Sequence, residues 1–127
     1  MVWKPHVTVA AIAEQDGKLL FIEEMSEGKV VINQPAGHVE PHERFDDAVI
    51  RETKEEAGWD FVPEYIVGCY YWQKNSESST YLRVCYAGKL TKHYPDLALD
   101  TGILNTLWLS LYELQARNHE LRTPLVV

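Results

Sequence analysis

The chain has 127 residues, with 12 Lys and Arg against 19 Asp and Glu and a formal net charge of −7. Its length suits one compact domain across residues 1–127, and no linker, repeat or low-complexity tract divides it. The scattered basic residues exclude the clustered patch that nucleic-acid binding needs, and no apolar run reaches the roughly 18 residues of a membrane span.

Hydrophobic residues make up 46% and charged residues 24%, an ordinary globular balance. The opening Met1-Val2-Trp3-Lys4-Pro5-His6 lacks the apolar stretch of a signal peptide, so the expected location is cytoplasmic. Cys69 and Cys85 stand far apart in strand-like segments and read as reduced thiols. They cannot complete a zinc site alone.

In chain order, His6 to Ala13 is apolar and β-branched and reads as a strand. Asp16-Gly17 signals a hairpin, and Lys18 to Glu23 is the returning strand. Lys29 to Ile32 is a short strand, followed by a loop at Asn33-Gln34-Pro35-Ala36-Gly37. The longest helix is expected over Glu43 to Ala57, with Pro41 near its start and Gly58 just past its end. Strands are expected at Tyr65 to Gln73, Thr80 to Thr91 and Ile103 to Leu109. The polar run Asn75-Ser76-Glu77-Ser78-Ser79 makes the turn between the first two. Ser110 and Glu113 form a capping-box pattern opening a second helix through about Arg117. Strand-rich ends around a central helix give an α+β fold with a mixed sheet.

The first helix breaks its own pattern. With residues about 100° apart around the axis, Phe45, Ala48 and Val49 share the face that should pack on the sheet. Continued toward the C-terminus, that face carries Glu52, Glu55 and Glu56, at i, i+3, i+4. Carboxylates there lose hydration, repel one another and oppose the negative end of the helix dipole. Arg51 can pair with Glu55 or Asp47, but one Arg cannot neutralise three acids. Two readings stand on pattern alone: a solvated acidic helix end partnered by Lys54 and Arg51, or a divalent-cation site. Glu43, Asp47 and Lys54 already supply a polar opposite face, which argues for the cation. Oxygen-only ligands suit magnesium or manganese.

These residues match a family signature. The run GHVEPHERFDDAVIRETKEEAGW resembles the Nudix box, G-x5-E-x7-R-E-U-x-E-E-x-G-U, where U is bulky and apolar. Gly37, Glu43, Arg51, Glu52, Glu55, Glu56 and Gly58 stand at every fixed position, while Thr53 and Trp59 are departures at the apolar ones. The opening KPHVTVA, the loop NQPAGH, the YLR of a later strand and the closing LRTPLV resemble the NudJ-like phosphatase subgroup. NudJ-like proteins continue somewhat past that closing stretch, and a missing segment would bear on substrate closure.

The resemblance implies a mixed β-sheet sandwiched between helices, with the box (residues 37–59) as loop–helix–loop. It implies that Glu52, Glu55 and Glu56 bind Mg2+, with Mn2+ as a substitute, helped by the Ala36 backbone carbonyl. One glutamate activates the attacking water, Glu52 first and Glu56 beside it, while Arg51 orients the carboxylates. Glu43 secures the loop against the helix, and Gly37 and Gly58 answer backbone requirements. The expected reaction is metal-dependent hydrolysis of a phosphoanhydride bond in a small organic diphosphate or nucleoside di- or triphosphate. Hydroxymethylpyrimidine diphosphate and thiamine diphosphate are implied by the subgroup.

Substrate contacts are read more coarsely. Arg83 lies mid-strand between Leu82 and Val84, and a buried Arg calls for an anion, either substrate or a box glutamate. Trp72 and Tyr71 either stack on a ring or pack in the sheet. Gln34 and His6 flank the site by resemblance only, and Trp3 is a lid or a packed terminus.

His38 and His42 are spaced like a zinc pair, but Pro41 between them removes shared helical geometry. No H-E-x-x-H, G-x-S-x-G or P-loop is present. Two alternatives remain: a nucleotide-cleaning pyrophosphohydrolase, and a non-catalytic sensor of a phosphorylated metabolite. The intact box acids weigh against the sensor. The partner is a small molecule, with neither nucleic acid nor membrane, and the chain acts as monomer or homodimer.

Overall fold

The computed structural model describes residues 2–73, 75–76 and 79–122. Glu77 and Ser78 of the polar turn, and Thr123, Pro124, Leu125 and Val126 of the closing stretch, lie outside the described residues.

Strand β1 (His6–Gln15) is the axis of the fold. It pairs in parallel with β6 (Thr80–His93) and antiparallel with the short β4 (Ala36–His38). β6 in turn pairs antiparallel with β5 (Trp59–Gln73), an edge strand exposing Tyr65, Ile66 and Tyr71. At its far end β1 turns through Asp16 (φ 53°) and Gly17 (φ 79°) into β2 (Lys18–Ser26). β2 is flanked by β3 (Lys29–Asn33) and β7 (Ile103–Leu109), both antiparallel. The sheet is therefore mixed, and the fold α+β.

Alternation along β1 and β6 sorts side chains onto two faces. Val9, Ala11 and Ala13 of β1, with Val84 and Tyr86 of β6, meet Ala48, Val49 and Ala57 of helix α1 (Phe45–Ala57) in the main core. The opposite face carries Thr8 and Ala10 of β1 with Arg83 and Cys85 of β6, paired Thr8 with Arg83 and Ala10 with Cys85. That second face forms part of the cleft described below. A second helix, α2 (Leu111–Ala116), opens on the expected capping box, Ser110 accepting from the Glu113 N–H and Glu113 from the Ser110 N–H. Among the described residues no helix is long and apolar enough to cross a membrane.

Several boundaries differ from the sequence reading. β5 begins at Trp59 and accommodates Pro63 by irregular register against β6. An edge strand tolerates a proline because one row of its N–H groups has no partner to lose. Ala36 to His38, expected as loop, adds a strand to β1. Helix α1 starts at Phe45, two residues later than expected, and Phe45 is 42% exposed rather than packed on the sheet. The first helical turn projects past the core that holds Ala48 and Val49.

Gly58 ends α1 at φ 73°, with its N–H on the Lys54 carbonyl and its own carbonyl accepting from the Tyr94 N–H. A side chain is disfavoured at this φ, and an added Cβ would lie 3.2 Å from the Tyr94 carbonyl oxygen. Gly58→Ala is expected to cost about 1–2 kcal/mol, measured by urea unfolding. An unchanged midpoint would remove the requirement.

Candidate active site

Helix α1 delivers its acids to the edge of the core. Glu52 is 8% exposed, on the stripe below Ala48 and Val49. Its carboxylate lies where a Cβ on Gly37 would stand, so only glycine lets β4 and the helix approach this closely. Glu56 is tied to the same strand, its Oε1 accepting the Ala36 N–H at 2.8 Å. Thr53, at an apolar position of the box, is fully buried, and its hydroxyl donates to the Val49 carbonyl at 2.7 Å. That bond removes the cost of a polar group in the core.

Arg51 organises the cluster. Its Nε and Nη2 donate to the two oxygens of Glu43 at 2.8 and 2.9 Å, a two-pronged pair. Nη1 donates to Glu52 Oε1 at 2.7 Å and to Glu55 Oε2 at 3.3 Å, and Nη2 also reaches the His38 carbonyl at 3.2 Å. The alternative partner considered from sequence, Asp47, is not among its recorded partners. Glu43 thus secures the loop before the helix through Arg51, and Glu40, three residues earlier, donates its backbone N–H to the Glu43 carboxylate at 3.0 Å.

These contacts split the acids electrostatically. Hydrogen bonding from Arg51 holds the Glu43 carboxyl down at about 2 and raises the Arg51 guanidinium further. Burial pushes Glu52 above the usual carboxylate range despite its bond to Arg51. Burial pushes Glu56 up to about 8, opposed by the Ala36 N–H and reinforced by Glu52, Glu24 and Asp100.

Asp100 was not anticipated. Its N–H donates to the Glu55 carbonyl at 3.0 Å, satisfying one of the open carbonyls at the end of α1. This docks the loop after β6 so that one oxygen each from Glu52, Glu55 and Asp100 lies within 4.8 Å of the other two. An all-oxygen donor set fits a hard divalent cation such as magnesium or manganese. Glu52 is buried, Glu55 half-buried and Asp100 exposed, and their mutual repulsion calls for positive charge beyond that of Arg51.

Glu52 and Glu56 line a cleft of about 860 Å³ together with Gly37, Arg83, Arg122, Tyr81 and Trp72. Arg83 is 7% exposed and pairs with amides rather than a box glutamate, its Nη1 donating to Asn33 Oδ1 at 3.2 Å and Gln34 Oε1 at 3.1 Å. Gln34 is 2% exposed and lies behind Arg83, outside the cleft lining. Trp72 lines the cleft beside Tyr81, with ring centres 6.4 Å apart. His6 stacks on Tyr81 at 4.8 Å and bounds that wall from behind. Tyr71 is exposed and is not among the lining residues. Trp3 is exposed as well.

Comparison with known proteins identifies the family. The model of the NUDIX domain matches residues 3–126. Phosphatase NudJ of Escherichia coli (strain K12) is 39% identical over 126 residues, 98% of this chain and 80% of that protein. A solved NUDIX hydrolase from Nitrosomonas europaea superposes with a TM-score of 0.93 at 47% identity, covering 97% of this chain and 84% of that one. The MutT protein from Methanosarcina mazei Go1, at 22% identity and a TM-score of 0.74 over 91% of this chain and 85% of that one, shares the fold. The chain belongs to the NUDIX family, hydrolases of phosphoanhydride bonds.

The pKa shifts set a pH dependence for the chelated protein. Glu56 is raised in the fold, so its contribution is fully present below about 4.5 and lost as pH rises toward about 8. Glu52 acts in the same direction. Glu43 acts oppositely: its contribution is present above about 4.5 and lost as pH falls toward about 2. Urea unfolding in chelator is therefore expected to show lower stability at pH 8 than at pH 5, with a smaller difference in Glu56→Gln. An identical slope in both proteins would contradict the assignment.

Proposed function

We propose that the chain hydrolyses a phosphoanhydride bond in a small organic diphosphate, using magnesium or manganese held by Glu52, Glu55 and Glu56. Asp100 and the Ala36 carbonyl complete the oxygen donors. The observation that carries this reading is that Glu52 and Glu55 converge with Asp100, while Glu52 and Glu56, the latter outside that trio, line a cleft shared with Arg83, Arg122, Tyr81 and Trp72. When bound, the cation offsets phosphoryl charge and makes the attacking water more acidic.

The protein's own groups do the rest. Arg51 occupies Glu52 Oε1, which leaves Oε2 to take the proton of a water attacking phosphorus in line. The two-pronged Glu43–Arg51 pair fixes that geometry before substrate arrives. Trp72 and Tyr81 offer flat faces to the organic part, with His6 stacked behind Tyr81. Arg83 meets the substrate directly, and Gln34 acts by holding Arg83. We read the whole chain as one domain that carries this site.

Hydroxymethylpyrimidine diphosphate and thiamine diphosphate head the substrate panel, as the sequence resemblance implies. Phosphate and pyrophosphate release should be followed over organic diphosphates and nucleoside triphosphates, with and without magnesium. Phosphate release from the diphosphates, dependent on magnesium, is expected. Pyrophosphate release from a nucleoside triphosphate alone would make the protein a nucleotide-cleaning enzyme. Tight ligand binding with no turnover would make it a sensor.

Glu56→Gln is expected to lower turnover on the order of 100-fold or more while the protein stays folded. Glutamine copies the neutral carboxyl that burial already favours at neutral pH in the absence of a cation. Unchanged turnover would sink the ligand assignment.

A further inference from the structure

Among the described residues Arg83 has no hydrogen-bonded carboxylate partner, although the cleft it lines also holds Glu27, Glu40, Glu52 and Glu56. Both of its hydrogen bonds among the described residues leave from Nη1, and both go to neutral amide oxygens. Its Nε finds no acceptor, and neither does Gln34 Nε2. A guanidinium buried to this degree without a directly bonded carboxylate is costly, and two orphaned donors add to the cost.

The arrangement around it keeps that charge open. Glu24 is buried, and its Oε1 accepts from Asn33 Nδ2 at 3.3 Å and from Arg122 Nη1 at 2.5 Å. The first bond turns the Asn33 amide so that its oxygen faces Arg83. Asn33 is then a neutral spacer between Glu24 and Arg83, while Arg122 takes the charge of Glu24. Burial disfavours the charged form of Arg83, and Arg122, which lines the same cleft, repels it, against the more distant attraction of Glu24 and Glu56. A carboxylate at position 34 would have ended the conflict within the fold, but the chain places an amide there.

Strand register locates the charge. Tyr81 faces His6 and Trp72 across the sheet, Arg83 faces Thr8, and Cys85 faces Ala10, which pairs with Ala36. Rows on one face are roughly 7 Å apart. Arg83 therefore stands one row from the aromatic wall and one row from the strand residue on which Glu56 docks.

We propose that Arg83, presented by Asn33 and Gln34, is an anion receptor in the cleft wall that binds a phosphoryl oxygen of the ligand directly, with no metal ion between them. This rests on reading the cleft as a phosphoanhydride site, and it places part of phosphate recognition outside the acidic helix. Arg83 and the acids then hold the phosphoryl chain from two sides.

Inorganic phosphate, titrated in the presence of chelator into protein labelled with 15N-arginine, tests this directly. The Arg83 Nε–H resonance is expected to shift and saturate. Gln34→Glu supplies the missing counter-ion at the position of the Gln34 oxygen. It should raise the melting temperature and weaken phosphate binding roughly tenfold or more. Arg83→Met should fold at least as stably as the parent and lose the stabilisation by phosphate. If Arg83→Met does not fold, Gln34→Glu carries the test alone.

An Arg83 resonance unmoved by saturating phosphate would overturn the proposal. So would equal phosphate affinity in Gln34→Glu and the parent. Turnover of a diphosphate with an unmoved Arg83 resonance would remove this inference and leave the hydrolase reading standing. Phosphate bound at Arg83 without turnover of any diphosphate would remove the hydrolase reading and keep this one.

Discussion

Arg51 sits where carboxylates from helix α1 and from the loop before it meet, and its planar group has the donors to serve them. Two donors grip Glu43 edge-on, and a third is shared by Glu52 and Glu55. The loop is thereby pinned to the helix, and Glu52 is held against Gly37. A lysine could carry the charge but not the geometry, since its ammonium cannot present the same rigid fork. Glu43 and Arg51 satisfy one another, while the acids deeper in the helix keep a deficit of positive charge.

That deficit has a counterpart across the cleft. On one side, burial drives Glu52 and Glu56 toward the neutral form. On the other, burial works against the charged form of Arg83, which is held by amides alone. Each wall is electrostatically incomplete in the opposite sense. A divalent cation would relieve the first and a phosphoryl group the second. The fold carries the strain of two unpaired walls because β1, β4, β6 and α1 are locked together by the apolar core behind them.

Much of this was legible in the sequence because it depends on local spacing. The acids of α1 break an apolar stripe at helical intervals, and the capping box at Ser110 and Glu113 needs only residues three apart. The features that were missed depend on contacts between distant segments. Asp100 reaches Glu52 and Glu55 through a backbone bond to the end of α1, which no periodicity marks. Asn33 meets Arg83, and Glu24 meets Asn33 and Arg122, only after β2, β3 and β6 are assembled. The β4 strand looked like a loop because Pro35 just before it and Gly37 within it obscure three residues of pairing to β1. Phe45 fits the apolar stripe, yet it lies beyond the edge of the sheet that would have covered it.

The central claim is that the acids are arranged for a divalent cation and not for solvent. Equilibrium binding of Mn2+, read from the paramagnetic resonance signal of the free ion and repeated with magnesium as competitor, tests it most directly. Saturable binding that magnesium displaces, and that weakens strongly in Glu52→Gln, is the predicted result. Binding that is absent, or that survives unchanged in Glu52→Gln, would contradict it.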